Sequence, residues 1–232
     1  MEQIRFIVLT TGERKAQLEL LVRTMKEHLG FQQVYGIYSK GEDFKREVIE
    51  AMDRRYTCFL VDDIVWINGI DHRTWQRFKS WPHVMCLSLR MHFGITYSYT
   101  KDIKLTPPKI YHGNVWCWVD EPSYWGYPMS VDGHIFRTAE IKPLIESLEF
   151  GNPNELEGQM TAKPLNKSWM MCQDRPSIVN TPLNKVQTVC NNRSADYSIE
   201  SMNELFDLGS RLKVPEFEKL NSCHIEIEPE WM

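Results

Sequence analysis

A chain of 232 residues is long enough to bury one substantial core and falls within the usual range of a single α/β domain. Its 42% hydrophobic and 25% charged residues are the balance of an ordinary globular protein, which excludes disordered, collagen-like and coiled-coil architectures. A formal net charge of -4 lacks the basic excess that marks non-specific binding to nucleic acid or anionic membranes.

The chain opens with Ile4 to Leu9, a continuous apolar run with β-branched members, as expected of a strand covered on both faces. Leu18, Leu21, Val22, Met25 and Leu29 then recur at helical spacing over residues 15 to 29, and Gly30 closes that helix. Val34 to Tyr38 reads as a second strand, Phe44, Val48, Ile49 and Met52 as a second helix, and Thr57 to Val61 as a third strand. This alternation predicts parallel β-α-β units and a Rossmann-like front half. Helical spacing resumes at Trp75 to Trp81, followed by a strand-like run, Val84 to Leu89.

From about residue 105 the texture changes to a turn-rich aromatic region containing Pro107, Pro108, Trp116, Trp118, Trp125 and Tyr127. Loops and short strands are expected there. Residues 138 to 148 are helical again, a break at Gly151-Asn152-Pro153-Asn154 precedes another helix start at Glu155, and residues 200 to 208 form a last short helix. The tail Cys223 to Ile227 reads as an edge strand. The reading is thus one domain over 1–232, with an alternating front half (1–104) and a turn-rich second half (105–232).

The six cysteines, Cys58, Cys86, Cys117, Cys172, Cys190 and Cys223, include no C-x-x-C pair and read as free buried thiols of a reducing compartment. The apolar run Phe6 to Leu9 is too short for a signal-peptide core, and no run approaches membrane-spanning length, so the expected location is cytoplasmic. The sequons at Asn166 and Asn192 would then carry no glycan.

Chemistry concentrates where the strand Cys58-Phe59-Leu60-Val61 runs into Asp62-Asp63 and on to Ile64-Val65-Trp66. Open parallel sheets bind ligands outside the carboxyl ends of their strands, so acids placed there face a crevice. Two carboxylates about 5 Å apart repel by roughly 3 kcal/mol at an effective dielectric near 20, and a divalent cation reverses that sign. Mg²⁺ and Mn²⁺ suit such oxygen ligands together with phosphate. One Asp capping a turn with the other solvated would account for the pair equally simply. Three further positions stay open in the same way. Asp132, next to Gly133, reads as a turn residue or as a carboxylate accepting sugar hydroxyls. Glu157 reads as the third helical position of a capping box begun by Asn154, or as a general base. His224 gains a role only if the tail folds back over the crevice.

Taken together these pieces resemble the GT-A superfamily of nucleotide-diphospho-sugar transferases, in particular small bacterial and phage glycosyltransferase-like proteins. The resemblance covers nearly the whole chain. It rests on Leu9-Thr10-Thr11 with Arg14 following, on Phe59 to Asp63, on Ser88-Leu89-Arg90 and on Tyr127 to Phe136. Asn152-Pro153-Asn154-x-Leu156-Glu157, Asn184-Lys185-Val186-Gln187 and the closing His224 complete it. It implies an α/β fold of GT-A type, with a mixed central sheet flanked by helices, in which residues 1–104 would be the nucleotide-sugar-binding half and 105–232 the acceptor-side half. It also implies a nucleotide-diphosphate sugar donor contacted by Thr10, Thr11, Arg14, Asp62 and Arg90, and a Mn²⁺ or Mg²⁺ ion held by Asp63 and His224. Asp132 or Glu157 would be the catalytic base of an inverting reaction, and a retaining reaction would need none. The acceptor would be a hydroxyl of a polysaccharide, a lipid or a modified nucleobase. One departure stands out: Asp62 and Asp63 are adjacent where the common motif is Asp-x-Asp, so only one of them is expected on the metal, and Asp63 is favoured. Two rivals stand beside this reading: a catalytically silent protein that kept the fold, and a sugar-phosphate nucleotidyltransferase. The second needs a glycine-rich basic loop, whereas Thr10 to Lys15 offers one glycine and an acid.

Overall fold

The computed structural model describes residues 3–30, 34–184 and 193–232. The strands, in chain order, are β1 (Ile4–Leu9), β2 (Val34–Ile37), β3 (Tyr56–Val61), β4 (Ile64–Trp66), β5 (Val84–Ser88), β6 (Tyr97–Ser98), β7 (Ile103–Lys104), β8 (Val115–Cys117), β9 (His134–Arg137), β10 (Trp169–Cys172) and β11 (Ile178–Asn180). The α-helices are α1 (Lys15–Leu29), α2 (Glu42–Ala51), α3 (His72–Ser80), α4 (Thr138–Glu146), α5 (Pro153–Ala162) and α6 (Ile199–Asp207). Cys190, the sequon at Asn192 and the segment Lys185-Val186-Gln187 lie outside the described residues.

A seven-stranded mixed sheet in the order β2-β1-β3-β9-β5-β10-β8 forms the centre, flanked by helices. β1 pairs in parallel with β2 and β3, as the alternating front half predicts. All six residues of β1 are buried, because the sheet is covered on both sides. Phe6 and Val8 pack with Leu21 and Met25 of α1 and Trp75 and Phe78 of α3. Ile7 and Leu9 pack with Phe44 and Val48 of α2, Ile141 of α4 and Leu156 of α5. Each fully buried side chain of this kind contributes about 1.5–3 kcal/mol.

Two expectations are corrected, those for the tail and for the capping box, and one short strand of the second half takes a place the sequence does not announce. β9 runs antiparallel between β3 and β5, so the turn-rich second half supplies a central strand of the sheet. The tail is not a strand; His224 makes a single parallel bridge to Asn180. The capping box of α5 begins at Asn152, whose side chain accepts from Glu155 N–H while Glu155 accepts from Gly151 N–H, with Pro153 in the first turn. Glu157 is two residues too far along to belong to it. Of the cysteines, Cys58, Cys86, Cys172 and Cys223 are buried free thiols, and Cys117 is free but half-buried.

The turn into β9 depends on Gly133. Its φ is +71°, and a Cβ placed there would lie 2.0 Å from Ile178 Cδ1. Its N–H donates to Phe59 and its carbonyl accepts from Leu89, which ties the turn to the ends of β3 and β5. Gly133→Ala is therefore expected to lower the unfolding free energy by about 1–3 kcal/mol. Urea titration should show a lower midpoint at an unchanged slope. Gly209→Ala, at a positive φ in open space, should lose less.

Candidate active site

The register of β1 on β3 builds the first half of the site. Leu9 is opposite Val61, so the next residues, Thr10 and Asp62, meet at the carboxyl edge of the sheet. The Thr10 hydroxyl donates to Asp62 Oδ2 at 2.6 Å and accepts from Gly12 N–H at 3.0 Å. Arg14, which caps the start of α1, reaches back to Asp62 Oδ1 at 2.5 Å, and its other nitrogen lies 3.8 Å from Asp63 Oδ2. Asp62 is buried, and burial pushes its carboxyl up while Arg14 and the Thr10 hydroxyl pull it back. Asp63 is half-buried. Its Oδ1 accepts from the Asn180 side chain at 2.9 Å, and its carbonyl accepts from Thr181 N–H at 2.8 Å. The chain then leaves the main sheet, because β4 pairs with β11 in a separate two-stranded ribbon.

The antiparallel direction of β9 builds the second half. A strand running against its neighbours starts where they end, so residues 130–133 lie at the same edge as Asp62 and as Arg90, which follows β5. Arg90, buried, donates to Asp132 Oδ2 at 2.7 Å and to Ser130 Oγ at 3.0 Å. Glu157, from α5, accepts from the Ser130 hydroxyl at 2.8 Å and from Val131 N–H at 3.0 Å. Burial pushes the Asp132 carboxyl up to about 7, against the Arg90 guanidinium that lowers it, with Glu157 and Asp63 raising it further.

His224 joins the two halves. The tail does fold back: Asn180 N–H donates to Cys223 O and Ile225 N–H donates to Asn180 O, both at 2.9 Å. The imidazole stacks on the Tyr124 ring at 5.5 Å, its Nδ1 is 3.1 Å from the Tyr124 hydroxyl, and its Nε2 is 4.0 Å from Asp132 Oδ2. Burial, with Arg90 adding, pulls its pKa down to about 3, so the ring is neutral at pH 7.

A cleft of about 410 Å³ runs over these groups and is lined by Thr10, Thr11, Arg14, Asp62, Asp63 and His224. Lys40 and Asn154 stand at its wall with Asn184 and Arg193. Its size is that of a small-molecule site. Asp132, Arg90 and Glu157 do not line it; Asp132 lies just behind His224. A larger depression of about 800 Å³ between α2 and Glu149 has its two cations already paired, Lys45 with Glu149 at 3.1 Å and Arg46 with Asp43 at 2.6 Å. The polar groups converge on the first cleft. Asp63 and His224, along with the exposed Glu13, are the cation donors lining it that no arginine or lysine engages at short range among the described residues. Among the described residues no three His, Cys, Asp or Glu side chains come close enough to hold a metal unaided. Asn180, Tyr124, Ser130 and Arg193 were not singled out by the sequence. Their only advance signal was proximity in a fold not yet known.

The fold is a mixed α/β sheet flanked by helices, and the site is a polar cleft at its carboxyl edge. No family model and no curated protein matches the sequence. Among solved structures, the chain is similar to S. aureus TarS, residues 1–349, in complex with UDP-GlcNAc, at 14% identity and a TM-score of 0.49. The match covers 89% of this chain and 65% of that one, so the chain spans about two thirds of that structure. Among the described residues no helix is long and apolar enough to cross a membrane.

The raised pKa of Asp132 has a definite consequence for stability. An acid whose folded-state pKa lies above its unfolded value of about 3.9 binds more protons when folded, so its contribution to stability falls as pH rises between the two values. Asp132→Asn removes that slope. Urea midpoints at pH 4.5, 6 and 7.5 should show the variant gaining on the parent as pH rises to about 7. A pH-independent difference would contradict the assignment.

Proposed function

We propose that the protein is a glycosyltransferase that moves a sugar from a nucleotide-diphosphate donor to a hydroxyl acceptor. The observation that carries the reading is the meeting of Asp62, Asp63, Arg14 and His224 in one cleft at the carboxyl edge of the sheet, where open α/β sheets bind nucleotides. Thr10, Thr11 and the Arg14–Asp62 pair would contact the nucleoside, with Lys40 and Arg193 offering positive charge to the diphosphate. Arg90 would act through Asp132 rather than on the nucleotide, since it stands behind the cleft wall.

Asp63 and His224 would hold a Mn²⁺ or Mg²⁺ ion, the remaining ligands coming from diphosphate oxygens, as is usual for such ions. A neutral imidazole and a carboxylate oxygen are a suitable donor pair. When bound, the ion supplies neutralisation of the charge that grows on the departing nucleoside diphosphate. Asp132 is the better base of the two acids. Its pKa near 7 matches the working pH of a group that must take a proton, whereas Glu157 is engaged in fixing Ser130 and Val131. The acceptor oxygen bonds to the anomeric carbon as the bond from that carbon to the diphosphate breaks. In an inverting reaction the hydroxyl proton passes to Asp132, whose side chain keeps 17% exposure behind His224, from an acceptor that reaches past the cleft wall. A retaining reaction needs no such base. The acceptor itself is a hydroxyl of polysaccharide, lipid or modified nucleobase.

A silent nucleotide-binding protein is the second reading, and one observation favours it: Arg14 already compensates the carboxylate pair from within the chain. Incubation with a panel of UDP- and GDP-sugars separates the two. Turnover should appear as metal-dependent release of nucleoside diphosphate, and Asp63→Ala should lower it by roughly 10²–10³. Binding without turnover on any donor would favour the silent protein, and full activity of Asp63→Ala, or of the parent in EDTA, would overturn the metal assignment.

A further inference from the structure

Asn180, the last residue of β11, touches both Asp63 and the tail that carries His224 and is 1% exposed. Its side-chain amide donates to Asp63 Oδ1 at 2.9 Å. Its backbone N–H and carbonyl grip the tail on either side of His224, at Cys223 and at Ile225. Thr181 completes the grip, its N–H at 2.8 Å and its hydroxyl at 3.1 Å both donating to the Asp63 carbonyl. One short segment therefore sets the place of the acid and of the imidazole together.

The amide also decides a competition. Arg14 faces two carboxylates but closes on one: it is 2.5 Å from Asp62 and 3.8 Å from Asp63. A guanidinium presents five donors and readily serves two carboxylates, so nothing in Arg14 itself keeps the second contact long. What opposes it is the hydrogen bond from Asn180, which draws Asp63 Oδ1 toward β11. We propose that Asn180 is a positioning residue, holding Asp63 off Arg14 and in register with His224 so that a carboxylate oxygen and the imidazole face the cleft side by side. The part of this that concerns a cation rests on the proposed function; the placement of Asp63 does not.

Two variants test it, Asn180→Leu, which keeps the shape and loses the donor, and Asn180→Ala. The first readout needs no ligand. In a crystal structure of either variant the Asp63 carboxylate should move from 3.8 Å to hydrogen-bonding distance of Arg14. The second is calorimetric titration of UDP with and without Mn²⁺. The parent should bind UDP more tightly with Mn²⁺. The variants should lose that gain by about 10- to 100-fold, the usual cost of removing a residue that orients a ligand, while metal-free affinity stays within about threefold. An unmoved Asp63 overturns the proposal, as does an undiminished Mn²⁺ effect. If the parent itself binds no UDP, the donor reading fails and the crystallographic arm still decides the role of Asn180. Should Asn180→Ala not fold, Asn180→Leu carries both arms.

Discussion

The site hangs on one buried ion pair, Arg14 with Asp62. A carboxylate at 1% side-chain exposure is costly unless a charge and hydrogen bonds accompany it into the protein, and removing one partner of such a pair costs about 3–5 kcal/mol. Here the partners come from three consecutive pieces of chain. β1 ends at Leu9 and delivers the Thr10 hydroxyl; the turn at Gly12 brings α1 to begin beside it; and Arg14, at the head of that helix, closes on Asp62. The direction in which α1 leaves the sheet is thereby linked to the acid pair, and the position of Asp63 follows from that of Asp62.

The second half of the site depends on topology rather than on a pair. Had β9 been parallel to its neighbours, its preceding turn would lie at the amino edge of the sheet, far from Asp62. Because it runs antiparallel, Ser130 to Gly133 share an edge with the ends of β3 and β5, and Arg90 can reach Asp132 directly. Glu157 then holds the turn from the helical layer through Ser130 and Val131. The carboxylate that remains, Asp132, is neither solvated nor fully neutralised, which is why its pKa sits near 7.

The front half was legible in the sequence because its signals are local. Ile4 to Leu9 and Thr57 to Val61 are unbroken apolar runs, α1 carries a long helical period, and acids after a buried strand have few places to be. β9 was not legible. His134-Ile135-Phe136-Arg137 is four residues long and flanked by polar groups at both ends, and its membership of the central sheet is fixed by partners about 50 to 80 residues away. The Asn152–Glu155 capping box was misplaced by two residues, since Asn152 and Asn154 both precede suitable acids and only the actual start of α5 distinguishes them. For His224 the condition is that the tail folds back over the crevice. A single bridge to Asn180 satisfies that condition, and Asn180 itself, in Ser-Ile-Val-Asn-Thr, carries no signal of its own.

The charges of the cleft are arranged so that a ligand has something to exchange with. Three of the acids at or behind it have an arginine at short range: Arg14 for Asp62, Arg90 for Asp132 and Arg193 for Glu226, at 3.1 Å, while Asp63 has Arg14 at longer range. Lysine would not serve the inner positions equally, because a guanidinium stays charged when buried and divides its donors between partners. An anionic ligand entering such a site need not meet bare carboxylates. It meets a guanidinium whose second contact is long, and a carboxylate, Asp63, that accepts a hydrogen bond from Asn180. On the proposed function, the spacing that would offer Asp63 to a cation would also leave Arg14 with donors for a phosphate, so both charges of an ion–diphosphate pair would find partners without breaking the buried pair on which the fold of this edge depends.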